Sequence, residues 1–252
     1  AFITLPLLAL LLRVPLDSFL TDLADPVTLD ALELSAITSL ISLAVIMMFG
    51  TPLAWLLGRR NFRGKNLIET IVELPLVVPP AVGGVALLLT FGRFGLLGGV
   101  EQRLGLNLAT GTLTAVVLAQ VFVAAPFYIK SARVGFAAVP REVEEAARVD
   151  GAGLWRTFRS VTAPLAAQGI AGGMVLCWAR ALGEFGATLI FAGNLEGKTQ
   201  TMPLAIALQM QSPGGLGIGI VLSAILIVAS FTLLLVFKLL TGKSLEVVNY
   251  EL

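Results

Sequence analysis

Long apolar runs separated by short polar segments constrain the fold of this sequence more than any other feature. A helix needs about 20 predominantly apolar residues to cross the hydrocarbon core of a bilayer. Runs of that kind, with few charges, occupy residues 34–57, 67–91, 111–127, 164–192 and 216–240. Because lipid offers the backbone no hydrogen-bond partners, these runs predict transmembrane helices and an all-α integral membrane protein.

The composition agrees with a protein that crosses the membrane several times, and it excludes several function classes. Of the 252 residues, 57% are hydrophobic and 13% are charged, whereas a soluble domain carries about 25% charged residues. With one cysteine and no histidine, the sequence offers no internal disulfide, no histidine metal site and no Ser-His-Asp or Cys-His nucleophile. A net charge of +1 gives no indication of nucleic-acid binding.

A sixth, shorter apolar run occupies residues 1–12. Twelve helical residues span about 18 Å, less than the ~30 Å hydrocarbon core. We expect the remaining end of a truncated first helix, because no cleavage-like site follows this run; the apolar region of a cleaved signal is the alternative. This interpretation gives six transmembrane helices in a single domain over residues 1–252. Residues 13–33 hold five acidic residues against Arg13 and predict an acidic loop.

Proline residues interrupt two of the predicted helices. The Gly-Thr-Pro step at residues 50–52 predicts a kink near one end of the first long run. In ELPLVVPPAVGG, three prolines, Pro75, Pro79 and Pro80, prevent regular helical hydrogen bonding. We predict a broken helix that lines a pathway at Pro79 and Pro80, with a merely kinked structural helix as the alternative. A short Gly-rich loop is expected at residues 93–110.

Basic residues are distributed unequally between the polar segments. Twelve of the 17 Lys and Arg residues lie in three segments, at 59–65, 130–159 and 238–243. Four lie in the segments expected on the opposite side, and Arg180 lies within an apolar run. Cytoplasmic segments are enriched in Lys and Arg, so this bias places the three segments and both chain ends in the cytoplasm of a multi-pass cell-membrane protein.

The polar segment at residues 140–164 is too long for a simple connection, and loops of that length are usually functional or disordered. Pro140 suits the first turn of a helix. Glu142, Glu144 and Glu145 then lie where the helix dipole favours negative charge. The segment is therefore predicted to begin with a short helix rather than to be disordered.

A second short helix is predicted after Gly151 and Gly153, which break the first helix. Its apolar residues recur at spacings of three and four and share one face: Leu154, Trp155, Phe158 and Val161. Two short helices at a Gly elbow, with exposed aromatic and basic residues, predict a docking surface for another protein.

The same segment follows the pattern E-A-A-x3-G-x9-I-x-L-P. Val161 replaces the isoleucine and Ala163 replaces the leucine, while the other positions match: Glu145, Ala146, Ala147, Gly151 and Pro164. This segment resembles the cytoplasmic coupling loop of binding-protein-dependent ABC importer permeases.

The resemblance implies that a coupling loop at about residues 137–163 inserts into a cleft of an ATPase subunit and carries its motion into the membrane. The implied coupling residues are Glu145, Ala146, Ala147, Gly151, Leu154, Trp155, Phe158 and Pro164. The alternative is an ordinary amphipathic cytoplasmic loop.

Two ionisable residues lie inside the run at 164–192. Arg180 and Glu184 are four residues apart, share a helix face and are predicted to pair. Charged groups within a membrane usually face a partner or a cavity, so the pair is predicted to help set the gate of a polar pathway. Mutual neutralisation without further function is the alternative. Gly183 and Gly186 would let another backbone, or the helix of a symmetric partner, approach closely.

The stretch WARALGEFGATLIFAGN, the following GKTQTMPLAI and the earlier ELPLVVPPAVGG resemble the molybdate permeases of this family. Sulfate and thiosulfate permeases have a related but different version. The resemblance implies a type I importer permease fold with cytoplasmic coupling helices, a homodimer in lipid, two ATP-binding subunits and an external molybdate-binding protein. No cofactor is expected in this chain. Binding and hydrolysis of ATP are assigned to the partner subunit, because the sequence has no G-x-x-x-x-G-K-[ST] loop.

Three alternatives to a molybdate importer stay open. A membrane enzyme would use Glu69, Glu73 or Glu184, but it would have to assemble a catalytic pair through its fold. A secondary transporter would need coupling-ion groups and has no need of a long cytoplasmic docking loop. A tungstate or sulfate importer would share the whole architecture, because selectivity is expected mostly in the external binding protein.

Overall fold

The computed structural model describes residue 2 and residues 4–99 and 110–249, of which 240–249 are described in their backbone only. These ranges are helical, with no strand among them. We number the helices α1 Thr4–Leu12, α2 Phe19–Leu23, α3 Pro26–Arg59, α4 Lys65–Val77, α5 Pro80–Phe91, α6 Leu113–Ala138, α7 Arg141–Val149, α8 Leu154–Thr157, α9 Ala163–Leu165, α10 Ala167–Leu182, α11 Gly186–Phe191, α12 Met202–Gln209 and α13 Leu216–Asn249. A π-helical turn, Phe158–Thr162, joins α8 to α9.

Helices α3, α6 and α13 are each long and apolar enough to cross a membrane. Two further candidates are bent pairs: α4 and α5 meet at 115°, and the segment Leu154–Leu165 meets α10 at 71°. By length and composition the described ranges therefore contain three to five spans. The predicted all-helical membrane protein is confirmed, but the count of six is not, since α1 has nine residues.

The centre of the fold is α6, which packs against α3 and α10. Tyr128 and Phe136 of α6 are fully buried, together with Ala54 of α3 and Cys177 of α10. Small residues on α3 leave room for these two aromatic side chains, because a Cβ built on Gly50 would lie 3.0 Å from the Tyr128 ring and one built on Gly58 would lie 3.1 Å from Cβ of Phe136.

Buried polar side chains also join the central helices. The Ser42 hydroxyl of α3 donates to Oε1 of Gln120 at 2.8 Å, and Gln120 Nε2 donates to Thr38 at 3.2 Å. Trp178 Nε1 of α10 donates to the Ser39 hydroxyl at 3.0 Å. These hydrogen bonds between neighbouring helices fix the rotation of α3 relative to α6 and α10.

The N-terminal half of α3 extends into the predicted acidic loop. Asp25 caps the helix by accepting from the Val27 amide at 2.9 Å, and Pro26 occupies its first turn. The prediction of a loop over residues 13–33 was therefore wrong at its end, because a cap at Asp25 begins the helix eight residues before the apolar run. At the other end, α3 continues through Pro52 as one helix.

Helix α6 also exceeds its predicted range and continues past its basic residues to Ala138. Lys130 Nζ lies 3.3 Å from Glu73 Oε1, and Arg133 Nη1 lies 2.6 Å from Glu69 Oε1. Pairing with α4 removes the reason to end the helix at the first charged side chain. Likewise α13 continues into the predicted tail, whereas most of the predicted Gly-rich loop at 93–110 lies outside the described residues.

Candidate functional site

The predicted docking segment, residues 140–164, begins with α7, and the inward-facing acid of that helix is Glu144. Only 7% of Glu144 is exposed. Its carboxylate accepts from Arg59 Nη2 at the end of α3 and, at 2.6 Å, from the Thr162 hydroxyl at the far end of the segment. One carboxylate therefore joins the two ends of the docking segment to the long helix α3.

The guanidinium of Arg59 makes further contacts with α6. Its Nη1 donates to the carbonyl of Val139 at 2.6 Å and lies 3.5 Å from that of Phe136. These carbonyls lie at the C-terminal end of α6, where a positive charge is favourable. Arg59 thus connects α3, α6 and α7 through one side chain.

Charges and hydrogen bonds set the ionisation of Glu144. Burial acts to raise the pKa of its carboxyl group, but hydrogen bonds from Thr162 and Arg59 and the positive charges of Arg59 and Arg148 outweigh burial and lower that pKa. Arg148 lies one helical turn away, 3.8 Å from Glu144 Oε2. The carboxylate is consequently held in its charged form at neutral pH.

The Glu-Ala-Ala core of the sequence pattern, residues 145–147, lies on the outer side of α7. Glu145 and Ala146 are exposed, and Ala147 is half-buried. Sequence reasoning placed Glu144 only among the charges of the first turn, and it missed Arg59 as its partner. The 85 residues between the two leave no local signal for the pair.

Gly151 ends α7 with a left-handed backbone, φ +86°. Its amide donates to the carbonyl of Arg148, and the Ala152 amide donates to that of Ala147, both at 3.0 Å. This is how a glycine closes the last turn of a helix, since other residues avoid positive φ. Gly153 differs, because its φ of −66° is open to any residue.

The second short helix presents large apolar side chains to solvent. Leu154 is 69% exposed and Trp155 is 71% exposed. The Trp155 ring stacks on Phe158 at 5.7 Å between centroids, and Phe158 in turn packs against Phe136 and, edge-on, Trp55. The exposed pair therefore rests on an aromatic base anchored in α3 and α6.

A groove of about 530 Å³ adjoins these rings, and it is mostly apolar. Met48, Thr51 and Pro52 of α3 form one wall, and Leu154 with Trp155 forms another. Pro164, at the end of the segment, is exposed. A contiguous apolar surface of this kind on a folded protein indicates an interaction site.

The second predicted site joins two broken helices. The chain leaves α4 at Val78 and enters α5 through Pro79 and Pro80. A Cβ built on Gly186, at the start of α11, would lie 3.2 Å from Cβ of Pro80. The break between α4 and α5 thus packs on the break between α10 and α11, as two segments far apart in sequence.

Arg180 and Glu184 lie at the second of these breaks. Arg180 Nη2 is 2.8 Å from Glu184 Oε2, and the other carboxylate oxygen accepts from the Ala187 amide at 2.7 Å. Glu184 is buried, whereas a quarter of the Arg180 side chain is exposed. Gly183 meets no other element in the described part of the chain, so its predicted role toward a symmetric partner stays a prediction.

No group of three or more His, Cys, Asp or Glu side chains able to hold a metal ion occurs among the described residues. The two sites present an exposed apolar surface at one end of the bundle and a charged, broken-helix junction within it.

Comparison with known proteins identifies relatives that match most of the chain. The family model of the binding-protein-dependent transport system inner membrane component matches residues 50–243. The Molybdenum transport system permease protein ModB of Haemophilus influenzae is 43% identical over 189 residues, which cover 73% of this chain and 82% of that protein. The Probable transport system permease protein NifC of Clostridium pasteurianum is 40% identical over 86% of this chain and 75% of its own.

A solved structure shares the fold at lower identity. It is a chain of a bacterial alginate ABC transporter in complex with an alginate pentasaccharide-bound periplasmic protein, with a TM-score of 0.68 and 19% identity. The match covers 96% of this chain and 89% of the transporter chain.

Proposed function

This chain belongs to the family of binding-protein-dependent transport system inner membrane components, and on that premise we propose that it is the permease subunit of an ABC importer whose cargo is molybdate. The observation that carries this proposal is the 43% identity to a molybdenum transport permease over most of both chains. Tungstate and sulfate or thiosulfate are the alternative cargoes of the same architecture.

The assembly we propose is a homodimer of this chain with two ATP-binding subunits and an external molybdate-binding protein. The absence of a phosphate-binding loop from the sequence supports ATP hydrolysis on a separate subunit, so the chain is not itself an enzyme. A periplasmic protein accompanies the related alginate transporter. The bias of Lys and Arg favours cytoplasmic chain ends and a cytoplasmic docking segment.

Energetics favour an importer driven by ATP. Moving a dianion into a cell with a negative interior costs roughly 4–5 kcal/mol per 100 mV, because each elementary charge contributes about 2.3 kcal/mol. Passive conduction would therefore run outward. We assign the drive to the ATPase, which docks on Leu154, Trp155 and the outer side of α7 with Glu145, Ala146 and Ala147. Movement of the docking segment reaches α3 and α6 through the Glu144–Arg59 pair.

The pathway we propose passes the junction of the two broken helices, at Pro79, Pro80 and Gly186. Arg180 is paired with Glu184, so its attraction for an anion is weak. A weak site suits a permease, because tight binding in the membrane would prevent release. Selectivity is left to the external binding protein.

Reconstitution tests the proposed function directly. We expect proteoliposomes that contain this chain, the ATPase and the binding protein to accumulate molybdate only when ATP is enclosed in the lumen together with the ATPase. A secondary transporter would continue without the ATPase and stop when the ion gradient collapses, and a membrane enzyme would turn over alone. Titration of the binding protein with molybdate, tungstate and sulfate decides the cargo.

Gly151 provides a test of the docking segment. Gly151→Val forces a β-branched residue to positive φ at a cost of about 1–2 kcal/mol, and Gly151→Asp costs less because Asp tolerates this region. A Cβ there meets open space, so the strain acts on the turn rather than the bundle. We expect ATP-driven uptake to fall about tenfold in the valine variant, with a smaller loss for aspartate and normal amounts of chain in the membrane.

Gly153→Ala is the matched control for Gly151, because Gly153 has an ordinary φ and an equally open surrounding. Uptake in this control should stay within twofold of the wild type. Normal coupled uptake in Gly151→Val would contradict the assignment of the turn to coupling.

A double-mutant cycle tests the charged pair at the junction. We expect Arg180→Met and Glu184→Gln each to impair uptake, and the double variant to be no worse than the more affected single variant, since the pair lies at 2.8 Å. The expected coupling energy, calculated from the uptake rates of the four proteins, is about 1–3 kcal/mol. Strictly additive effects would show that the two residues act independently.

A further inference from the structure

A second, polar cavity lies beside the docking segment, between the end of α3 and α7. It measures about 140 Å³ and is lined by four arginines, two glutamates and Trp55. Neither the proposed transport pathway nor the apolar groove includes Arg60 or Arg141, which belong to this lining.

The charges around this cavity do not cancel. Arg59 is neutralised by Glu144, and Arg148 lies at the edge of the same carboxylate, at 3.8 Å. Within the described residues no carboxylate lies within 4 Å of Arg60 or Arg141. With four guanidinium groups against two carboxylates, a net positive charge faces the cavity.

The position of the cavity favours a ligand from the membrane surface. The Arg60 guanidinium lies over the Trp55 ring at 5.9 Å, a cation–π arrangement that holds it beside the cavity. Trp is enriched where a helix leaves the hydrocarbon core, and Trp55 lies one turn before the end of the long apolar helix α3. We therefore expect Arg60, at the end of this helix, to lie at the level of the lipid headgroups.

We propose that this cavity binds the phosphate group of an anionic phospholipid headgroup through the guanidinium groups of Arg60, Arg141 and Arg148. Guanidinium forks match phosphate oxygens in geometry and charge, and basic pockets on the cytoplasmic side of helix bundles recognise anionic headgroups. The proposal rests on the orientation proposed above, and Glu145, which also lines the cavity, is the residue that it shares with the proposed ATPase surface.

The location suggests a consequence for the docking segment. Arg148 lines the cavity and lies 3.8 Å from Glu144 Oε2, so a bound phosphate would share Arg148 with that carboxylate. The lipid would then brace α7 against the end of α3 from a second side.

Lipid retention by the purified full-length chain tests the proposal. The chain is exchanged into vesicles of phosphatidylcholine with or without phosphatidylglycerol, extracted, and its bound phosphatidylglycerol is counted by native mass spectrometry. We expect the wild type to retain phosphatidylglycerol and Arg60→Gln/Arg141→Gln to bind it about tenfold more weakly, since two charge-assisted contacts are lost.

The control Arg63→Gln/Arg159→Gln removes the same charge from exposed positions outside the cavity and should retain lipid like the wild type. A parallel sample with inorganic phosphate added identifies the source of the phosphate group. If phosphate displaces phosphatidylglycerol from the wild type, the same site also takes a soluble ion, and the lipid is not its specific ligand. Equal lipid retention in both double variants, with no effect of phosphate, would overturn the proposal.

Discussion

Glu144→Ala is expected to destabilise the protein by about 3–5 kcal/mol and to reduce ATP-driven uptake at least tenfold, because it leaves the Arg59 charge buried without its carboxylate. The Arg59 side chain is 7% exposed and would keep only its carbonyl contacts with α6. Glu145→Ala, at the exposed neighbour, is the matched control and should leave the melting temperature nearly unchanged. Melting temperature and uptake into proteoliposomes measure the two effects.

Removing both charges separates stability from coupling. We expect Arg59→Met/Glu144→Met to recover most of the lost stability, since an apolar pair often replaces a buried ion pair without loss. Uptake should stay low if the pair transmits movement from the docking segment. Full recovery of uptake in the double variant would show that the pair serves stability alone.

The ionisation of Glu144 gives the same prediction a pH dependence. The pKa of its carboxyl group is lowered from an ordinary value of 4.5 in the folded protein. The pairing therefore contributes in full above that ordinary value and is lost as the pH falls through the lowered one. The difference in melting temperature between wild type and Glu144→Ala should be constant near neutral pH and narrow only in acid.

Gly169→Ala is expected to have the second large effect, because α6 and α10 touch backbone to backbone at this position. A Cβ on Gly169 would lie 2.6 Å from Cα of Gly135, closer than atoms of packed helices can approach. The helices must separate, which also strains the bond from the Ser131 hydroxyl to the Gly169 carbonyl at 2.8 Å. We expect the free energy of unfolding to fall by about 1–3 kcal/mol and the amount of folded chain in the membrane to decrease.

Gly172→Ala is the matched control on the same helix, one turn away. Its added Cβ would meet Phe237 and Ser131 at 3.4 Å, an ordinary contact. The substitution should be neutral or stabilise α10 slightly, since Ala favours a helix over Gly. Equal melting temperatures for the two alanine variants would contradict the close approach of α6 and α10.

Local sequence patterns predicted the short helix and the turn of residues 140–153, while the docking role of this segment stays a prediction. The charges after Pro140 and the glycine at 151 favour a short helix and a turn through local interactions, and α7 and the left-handed Gly151 lie there. The same patterns misplaced the helix ends. Asp25 begins α3 earlier than its apolar run, and charges on α6 are tolerated because α4 supplies their partners.

The sequence by itself determined that this chain is a bundle of apolar helices with one polar segment between them, because period, length and capping are local properties of the backbone. Only the tertiary structure decided which residues meet: Arg59 with Glu144, Gly135 with Gly169, and Pro80 with Gly186. The physical reason is that these contacts join segments 34 to 106 residues apart. The packing of whole helices determines which of these residues meet, and a local sequence pattern carries no information about that packing.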